Sequence, residues 1–326
     1  MSNINKQIEN ANIVMDNVKV EIDKLIIGQD SVINHILIAI LAGGNVLLEG
    51  THGLGKTQLV RAIAKAIGLS FYKVHFTSDL TIRDLENQIV EHGNNTLGFE
   101  NNLNRPTLFS NIVLGDEINR VKPKVQNHYL QTIQEQSIII DKIKYEMPQP
   151  FLFVANETPI VLEDNSFLTE SQADKFMMKI NLKFPNISEL QKIIDLTLSG
   201  VQIEISEQTN KDEILEFKRL VYQIKISNTL VQSILRIAYS THPEVMGTSD
   251  YTKKYIKYGA SPRAAQALIM ACKSKALMEG RDEIAPEDVV YIAPAILRHR
   301  IMLKPEAEED VLTVDDIINK IVKEIL

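Results

Sequence analysis

The chain has 326 residues, 44% hydrophobic and 24% charged, with a net charge of −7 and a single cysteine. That length suits two ordinary domains, and the composition is that of a folded, water-exposed protein. The acidic balance argues against a general nucleic-acid binder, the lone Cys272 excludes an intrachain disulfide, and no apolar run approaches the ~18 residues a membrane span needs. The polar start, Met1 to Asn12, has no signal-peptide core, so the expected compartment is the cytoplasm.

Apolar spacing near 3.6 predicts a helix from about Ile4 to Lys24, carried by Ile8, Ile13, Val14, Val18 and Ile22. A second helix is expected from Asp30, acting as N-cap, to about Leu41, with Gly43-Gly44 breaking it. Between them, Ile26-Ile27-Gly28-Gln29 fits either the wall of an adenine pocket or plain core.

Asn45 to Glu49 reads as a buried strand, and Gln58 to Ile67 as a helix stopped by Gly68. Between them lies Gly50-Thr51-His52-Gly53-Leu54-Gly55-Lys56-Thr57, followed by Gln58. This is the G-x-x-x-x-G-K-[ST] spacing in its strand–loop–helix setting. Glycines let the backbone turn its N–H groups inward, and the helix N-terminus completes a nest for phosphates. Lys56 is expected on the β- and γ-phosphates, and Thr57 Oγ on Mg²⁺.

Phe71 to Phe76 alternates like a strand, and residues 89–99 read as a hairpin interrupting a crossover. Asn111 to Glu117 is an apolar strand ending in two carboxylates. Ligands gather at the carboxyl ends of parallel strands. There Asp116 is expected to hold Mg²⁺ and Glu117 to orient and deprotonate the attacking water. Pro123 to about Gln136 reads as a helix, and 138–147 as a second hairpin turning at Asp141-Lys142. Phe151 to Ala155 is another buried strand, leading into Asn156-Glu157-Thr158-Pro159, where a polar residue can meet the γ-phosphate or the water. Glu170 to Phe176 is expected to be helical and Met178 to Leu182 to be the last strand, with Pro185 at a domain boundary.

Beyond Pro185 the pattern is all-helical, with segments near 212–224, 229–241, 262–279 and 287–300, and Ser188 with Gln191 proposed as a capping box. Ser261-Pro262-Arg263 gives a capped, stiff helix start. A cation in the first turn opposes the helix dipole, which points to an anion near Arg263 or else to plain solvation. The tail from Lys304 holds three lysines and seven acids, and its end, Asp315 to Leu326, fits one amphipathic helix: a lid cap or a docking element. His75 and His128 read as structural and Cys272 as a buried, inert thiol. No zinc-type spacing of Cys and His occurs.

Taken together, Ile27-Gly28-Gln29, Gly53-Leu54-Gly55-Lys56-Thr57, Phe76-Thr77-Ser78-Asp79-Leu80, Asp116-Glu117-Ile118-Asn119-Arg120, Glu170 to Asp174, Gly259 to Ala264 and Leu297-Arg298-His299-Arg300-Ile301 resemble the MoxR family of AAA+ ATPases. The resemblance covers about residues 25–303. It implies an α/β fold: a five-stranded parallel P-loop sheet with hairpin inserts, followed by an all-helical lid. The division expected is 1–185 for the core, 186–303 for the lid and 304–326 for an acidic tail. It also implies ATP and Mg²⁺ as cofactors, self-association into a ring, commonly a hexamer, and chaperone-like remodelling with a von Willebrand factor type A domain partner. No nucleic-acid partner and no membrane insertion are expected.

Three positions depart from the family pattern. Glu157-Thr158-Pro159 stands where relatives read Gln-Asn-Pro, which puts Thr158 at the sensor position and Asn156 two residues before it. Lys175 stands where relatives carry an arginine, a candidate trans finger, so Arg120 is the alternative group reaching a neighbour. His52 replaces a proline in the phosphate loop. Three functions therefore compete: an ATP-driven remodeller, an ATP-gated binding module with weak hydrolysis, and a nucleic-acid motor.

Overall fold

In the computed structural model, residues 3–84, 109–140, 143–157 and 168–326 are described. The hairpin expected at 89–99, the turn Asp141-Lys142 and Thr158 lie outside them. Five strands form one parallel sheet: β1 (Val46–Glu49), β2 (Phe71–His75), β3 (Ile112–Asp116), β6 (Leu152–Glu157) and β7 (Met178–Asn181). Their order is β2-β3-β6-β1-β7. β1 sits between β6 and β7, with Val46 opposite both Val154 and Met178.

Both faces of this sheet are covered, which is why its strands read as nearly unbroken apolar runs. Successive side chains point to opposite faces. Val46 and Leu48 join Ile112, Leu114 and Val154 on one face, against Leu59, Val60 and Ile63 of the helix Lys56–Ala66. Leu47 joins Val113, Phe153 and Ala155 on the other face, against Tyr129 and Ile133 of the helix Pro123–Glu135. Gly115 is needed on that second face. A Cβ there would lie 2.6 Å from the Phe153 ring and 2.7 Å from the Phe76 ring. The rings therefore close over the strand just before Asp116.

The strands β4 (Ser137–Ile140) and β5 (Ile143–Glu146) form the antiparallel hairpin read from the sequence, in register Ser137 with Glu146. The segment expected to be helical from Glu170 to Phe176 is a single turn, Glu170–Ala173, closed by a Thr169/Gln172 capping box.

The helices Ile187–Leu198, Lys211–Gln223, Asn228–Tyr239, Pro262–Met278 and Pro286–Leu297 form the lid, with β8 (Ile256–Tyr258) and β9 (Met302–Leu303) as a short ribbon. The first helix, Asn3–Asp23, lays Ile8, Ala11, Met15, Val18 and Ile22 on the lid and core, while Ile13 faces outward. The stripe thus runs through Ala11 and Met15 rather than Ile13. The last helix, Val314–Ile325, buries Ile317, Ile318, Ile321 and Val322 against the lid, and Arg298 holds its first turn through both oxygens of Asp315 (3.0 and 2.7 Å). The helix whose role the sequence left open is therefore packed into the lid.

Three caps differ from expectation. Gln29, not Asp30, precedes the second helix, and no side chain caps it. Asn186 with Glu189 forms the capping box assigned to Ser188 and Gln191, because Pro185 already turns the chain one residue before Asn186. Ser261 sits at the N-cap position, but its hydroxyl bonds elsewhere.

Candidate functional site

The chain leaves the carboxyl end of β1 into the glycine loop and enters the helix Lys56–Ala66. Gly53 and Gly55 have φ of 86° and 73°, a left-handed backbone that favours glycine. Gly55 is also the helix N-cap and has no side chain of its own to cap the first free N–H groups. Those donors and the helix dipole are left for an anion. Lys56 is buried and lies back along its own loop, donating to the carbonyl oxygens of Gly50 and Thr51, the latter at 2.9 Å. Burial pushes its ammonium pKa down, while the charges of Asp116 and Glu117 pull it up; burial wins.

Opposite the loop, β3 delivers its two carboxylates. Asp116 accepts from Lys73 Nζ at 2.6 Å and from Asn156 Nδ2 at 2.6 Å, with His75 Nδ1 3.4 Å away. Burial pushes its carboxyl up, but the bonds from Lys73 and Asn156 together with the charges of Lys73 and His75 hold it below its ordinary value. Glu117 has φ of 62°, a left-handed conformation that costs a side-chain-bearing residue about 1–2 kcal/mol. Strain of this kind collects where a side chain must be aimed. Its Oε2 accepts from Arg120 Nε at 3.1 Å, and His52 Nδ1 lies 3.9 Å from its Oε1.

β6 runs beside β3 and brings Asn156 to Asp116; Asn156 Oδ1 is buried with no donor among the described residues. The next residue, Glu157, is buried too. Burial pushes its carboxyl up, more than the Lys179 charge pulls it down. Lys179 itself is paired with Glu49 at 2.7 Å.

Away from the phosphate loop, Gly28 (φ 74°) is overlaid by Glu189: a Cβ at Gly28 would lie 2.5 Å from the Glu189 carboxyl carbon. The buried Gln29 donates to the Lys183 carbonyl at 3.0 Å, tying Ile27-Gly28 to the segment that leads into the lid.

Arg263 is not on the phosphate loop. Its NH1 lies 3.3 Å from Asp174 Oδ2, and no hydrogen bond or ion pair joins it to residues 50–58 among the described residues. Ser261 Oγ donates to Asp174 Oδ1 at 2.9 Å, and the buried Arg300 donates to the same oxygen at 2.8 Å. The adjoining Lys175 is half-buried and has no side-chain hydrogen bond or ion pair among the described residues.

The sequence matches known proteins throughout this architecture. Residues 45–178 match the family described as ATPase family associated with various cellular activities (AAA), and 249–321 the AAA lid domain. Chaperone MoxR1 of Mycobacterium tuberculosis is 33% identical over 93% of this chain and 79% of its own length. The chain belongs to the MoxR family of AAA+ ATPases. Protein MoxR of Methylorubrum extorquens is 29% identical over 88% of this chain and 87% of its own. A crystal structure from Cytophaga hutchinsonii, described as a candidate ATPase, superposes with a TM-score of 0.87 at 32% identity, covering 98% of this chain and 97% of the other.

In this MoxR-family chain the structure brings Lys56, Asp116, Glu117 and His52 to one corner and leaves Arg263 at another. Four participants escaped sequence reasoning. Lys73 and His75, one strand over, both approach Asp116. His75 is mostly exposed, so the structural role expected of it is corrected: it stands at the edge of the site. Their alternation on β2 was the available signal. Asp174 and Arg300 lay inside recognised motifs, but nothing in the spacing says that residues 126 positions apart meet.

Proposed function

We propose that this MoxR-family chain binds and hydrolyses ATP and uses the cycle to remodel a partner protein. The observation that carries the reading is the glycine loop with its buried Lys56 facing the Asp116-Glu117 pair at the carboxyl ends of one parallel sheet, His52 of the loop lying 3.9 Å from Glu117. Thr57 and Asp116 are hard oxygen donors, which suits Mg²⁺; the ion, when bound, would neutralise phosphate charge. Gly50 to Gln58 would hold the phosphates through main-chain N–H groups, with Lys56 at the β- and γ-positions. Taking up the nucleotide requires Lys56 to exchange two carbonyls for phosphate oxygens, and Lys73 to share Asp116. Glu117, aimed by its strained backbone, would orient the attacking water and take its proton. The unpaired Asn156 Oδ1 is an acceptor suited to that water, which favours Asn156 as the sensor beside Thr158. Ile27 and Gly28 would face the base.

Assembly into a ring, commonly a hexamer, would set Lys175 or Arg120 against a neighbour's phosphates. Arg120 is engaged by Glu117 of its own chain, which favours Lys175, unpaired among the described residues. A von Willebrand factor type A domain protein as partner and a cytoplasmic setting complete the reading. Lysine lacks the planar fork of a finger arginine, so the form with slow hydrolysis is the second reading. The test is phosphate release by purified Glu117→Gln beside the parent chain. ATP binding should persist while turnover falls by about 10²–10⁴; undiminished release defeats the assignment.

A further inference from the structure

The Asp174 carboxylate carries three lid groups at once, and it does not carry them equally. Arg300 is almost fully buried. Its Nε bonds Asp174 Oδ1 at 2.8 Å, and its other nitrogens donate to the carbonyls of Phe176 (2.7 Å), Met177 (3.0 Å), Asp174 (3.4 Å) and Ile296. A guanidinium with that many acceptors is a fixed part of the core–lid seam. Ser261 Oγ shares the same carboxylate oxygen at 2.9 Å, forgoing the cap of its own helix. Arg263 reaches only the second oxygen, through one nitrogen at 3.3 Å, and its side chain is 57% exposed. One arginine is locked and the other is loosely held.

Resting on the ATPase reading, and on the anion that a cation in the first turn of its helix calls for, we propose that Asp174 is a positioning residue that parks Arg263, which leaves it for the outermost phosphate when a nucleoside triphosphate is bound. A nucleoside triphosphate must win this guanidinium from a core carboxylate, whereas a diphosphate, with no third phosphate to offer, leaves it parked. Pro262 fixes the backbone of the helix start, so Arg263 keeps its direction on the lid while its guanidinium changes partner. The seam survives it, because Arg300 and Ser261 keep Asp174 in place. Lys175, next in sequence, therefore stays located while Arg263 changes partner. An exposed single-ended pair is weak, so parking sets a small threshold that a triphosphate can overcome.

The experiment is equilibrium binding of a non-hydrolysable ATP analogue and of ADP, with Mg²⁺, to four full-length chains: the parent, Asp174→Asn, Arg263→Ala and the double variant. Asparagine keeps an oxygen for Arg300 and removes the charge that competes for Arg263. The expected result is an analogue-to-ADP affinity ratio raised about two- to fivefold by Asp174→Asn, with the rise absent in the Arg263→Ala background. A general electrostatic or structural effect would persist in that background, and finding it there overturns the proposal. So does an unchanged or lowered ratio. Should Asp174→Asn fail to fold, the parent chain labelled with ¹⁵N-arginine decides. The Arg263 side-chain signal, identified by its loss in Arg263→Ala, should move with the analogue and not with ADP, while the Arg300 signal stays; an Arg263 signal indifferent to the analogue refutes parking. If the parent binds neither nucleotide, the ATPase reading itself falls, a failure distinct from binding without the predicted ratio.

Discussion

Two corners of this molecule handle charge in opposite ways. At the carboxyl ends of β1 and β3, the Lys56 loop and the Asp116-Glu117 pair leave one sheet on either side of β6, and the strands that lead to them are fixed by ladder hydrogen bonds. At the core–lid seam, Asp174, Arg263 and Arg300 come from a one-turn helix, the first turn of a lid helix and the segment after another. There, ion pairs between side chains do the positioning. The first corner sets its backbone by the sheet. The second sets its groups by side-chain pairs of unequal hold, Arg300 locked and Arg263 loosely held.

Substitutions can break that contrast. Arg300→Ala strips the seam of its anchor, takes the buried donor from Asp174 and leaves the carbonyls of Phe176 and Met177 without the guanidinium. Removing one partner of a buried pair typically costs about 3–5 kcal/mol, so thermal or denaturant unfolding should show a loss of that order. A loss below 1 kcal/mol would mean that the seam is not anchored there. Asn156→Ala tests the first corner. It removes a neutral donor from Asp116 and the open acceptor beside it. Turnover should fall by about tenfold or more with folding stability changed by no more than about 1–3 kcal/mol, and a turnover equal to the parent's would take Asn156 out of the site.

Lys175→Arg sharpens the comparison from the neighbour's side. A planar fork in place of a point charge should raise turnover by about tenfold in assembled protein and leave nucleotide affinity unchanged; no gain would remove position 175 from the trans role. Glu157→Gln has the smallest expected effect. Burial lifts the Glu157 carboxyl above its ordinary value, so the folded chain keeps a proton that the unfolded chain has already released. Stability contributed below the ordinary carboxylate range is then lost as pH rises through the lifted value. Melting curves should show the variant gaining on the parent as pH climbs from about 4 toward neutrality, with no gain at the acid end. A constant difference across that range would contradict the buried-carboxylate account.

How far the sequence disclosed these two corners follows from how each is made. The phosphate loop and the carboxylate pair are local in sequence, with residue types dictated by φ values and by phosphate chemistry, so Gly53, Gly55, Lys56 and Asp116-Glu117 could be read directly. The apolar runs of β1, β3 and β6 marked buried strands for the same reason, and the family resemblance implied their parallel arrangement. The seam could not be read this way. Asp174 and Arg263 are 89 positions apart, and an arginine opposing a helix dipole pointed to an anion without saying which. The anion in contact is a carboxylate of this chain. Asn156 was hard to assign because motif alignment favoured a residue two positions on, whereas the register of β6 against β3 brings Asn156 to Asp116. The caps at Gln29 and Asn186 slipped by one and two residues, the usual precision of helix ends.

Equilibrium binding of ATP with Mg²⁺, compared between the parent and Lys56→Ala, tests the central claim most directly. The account predicts saturable binding by the parent and a loss of at least tenfold in affinity in the variant. A parent with no affinity for ATP, or a Lys56→Ala chain that binds it equally well, would contradict it.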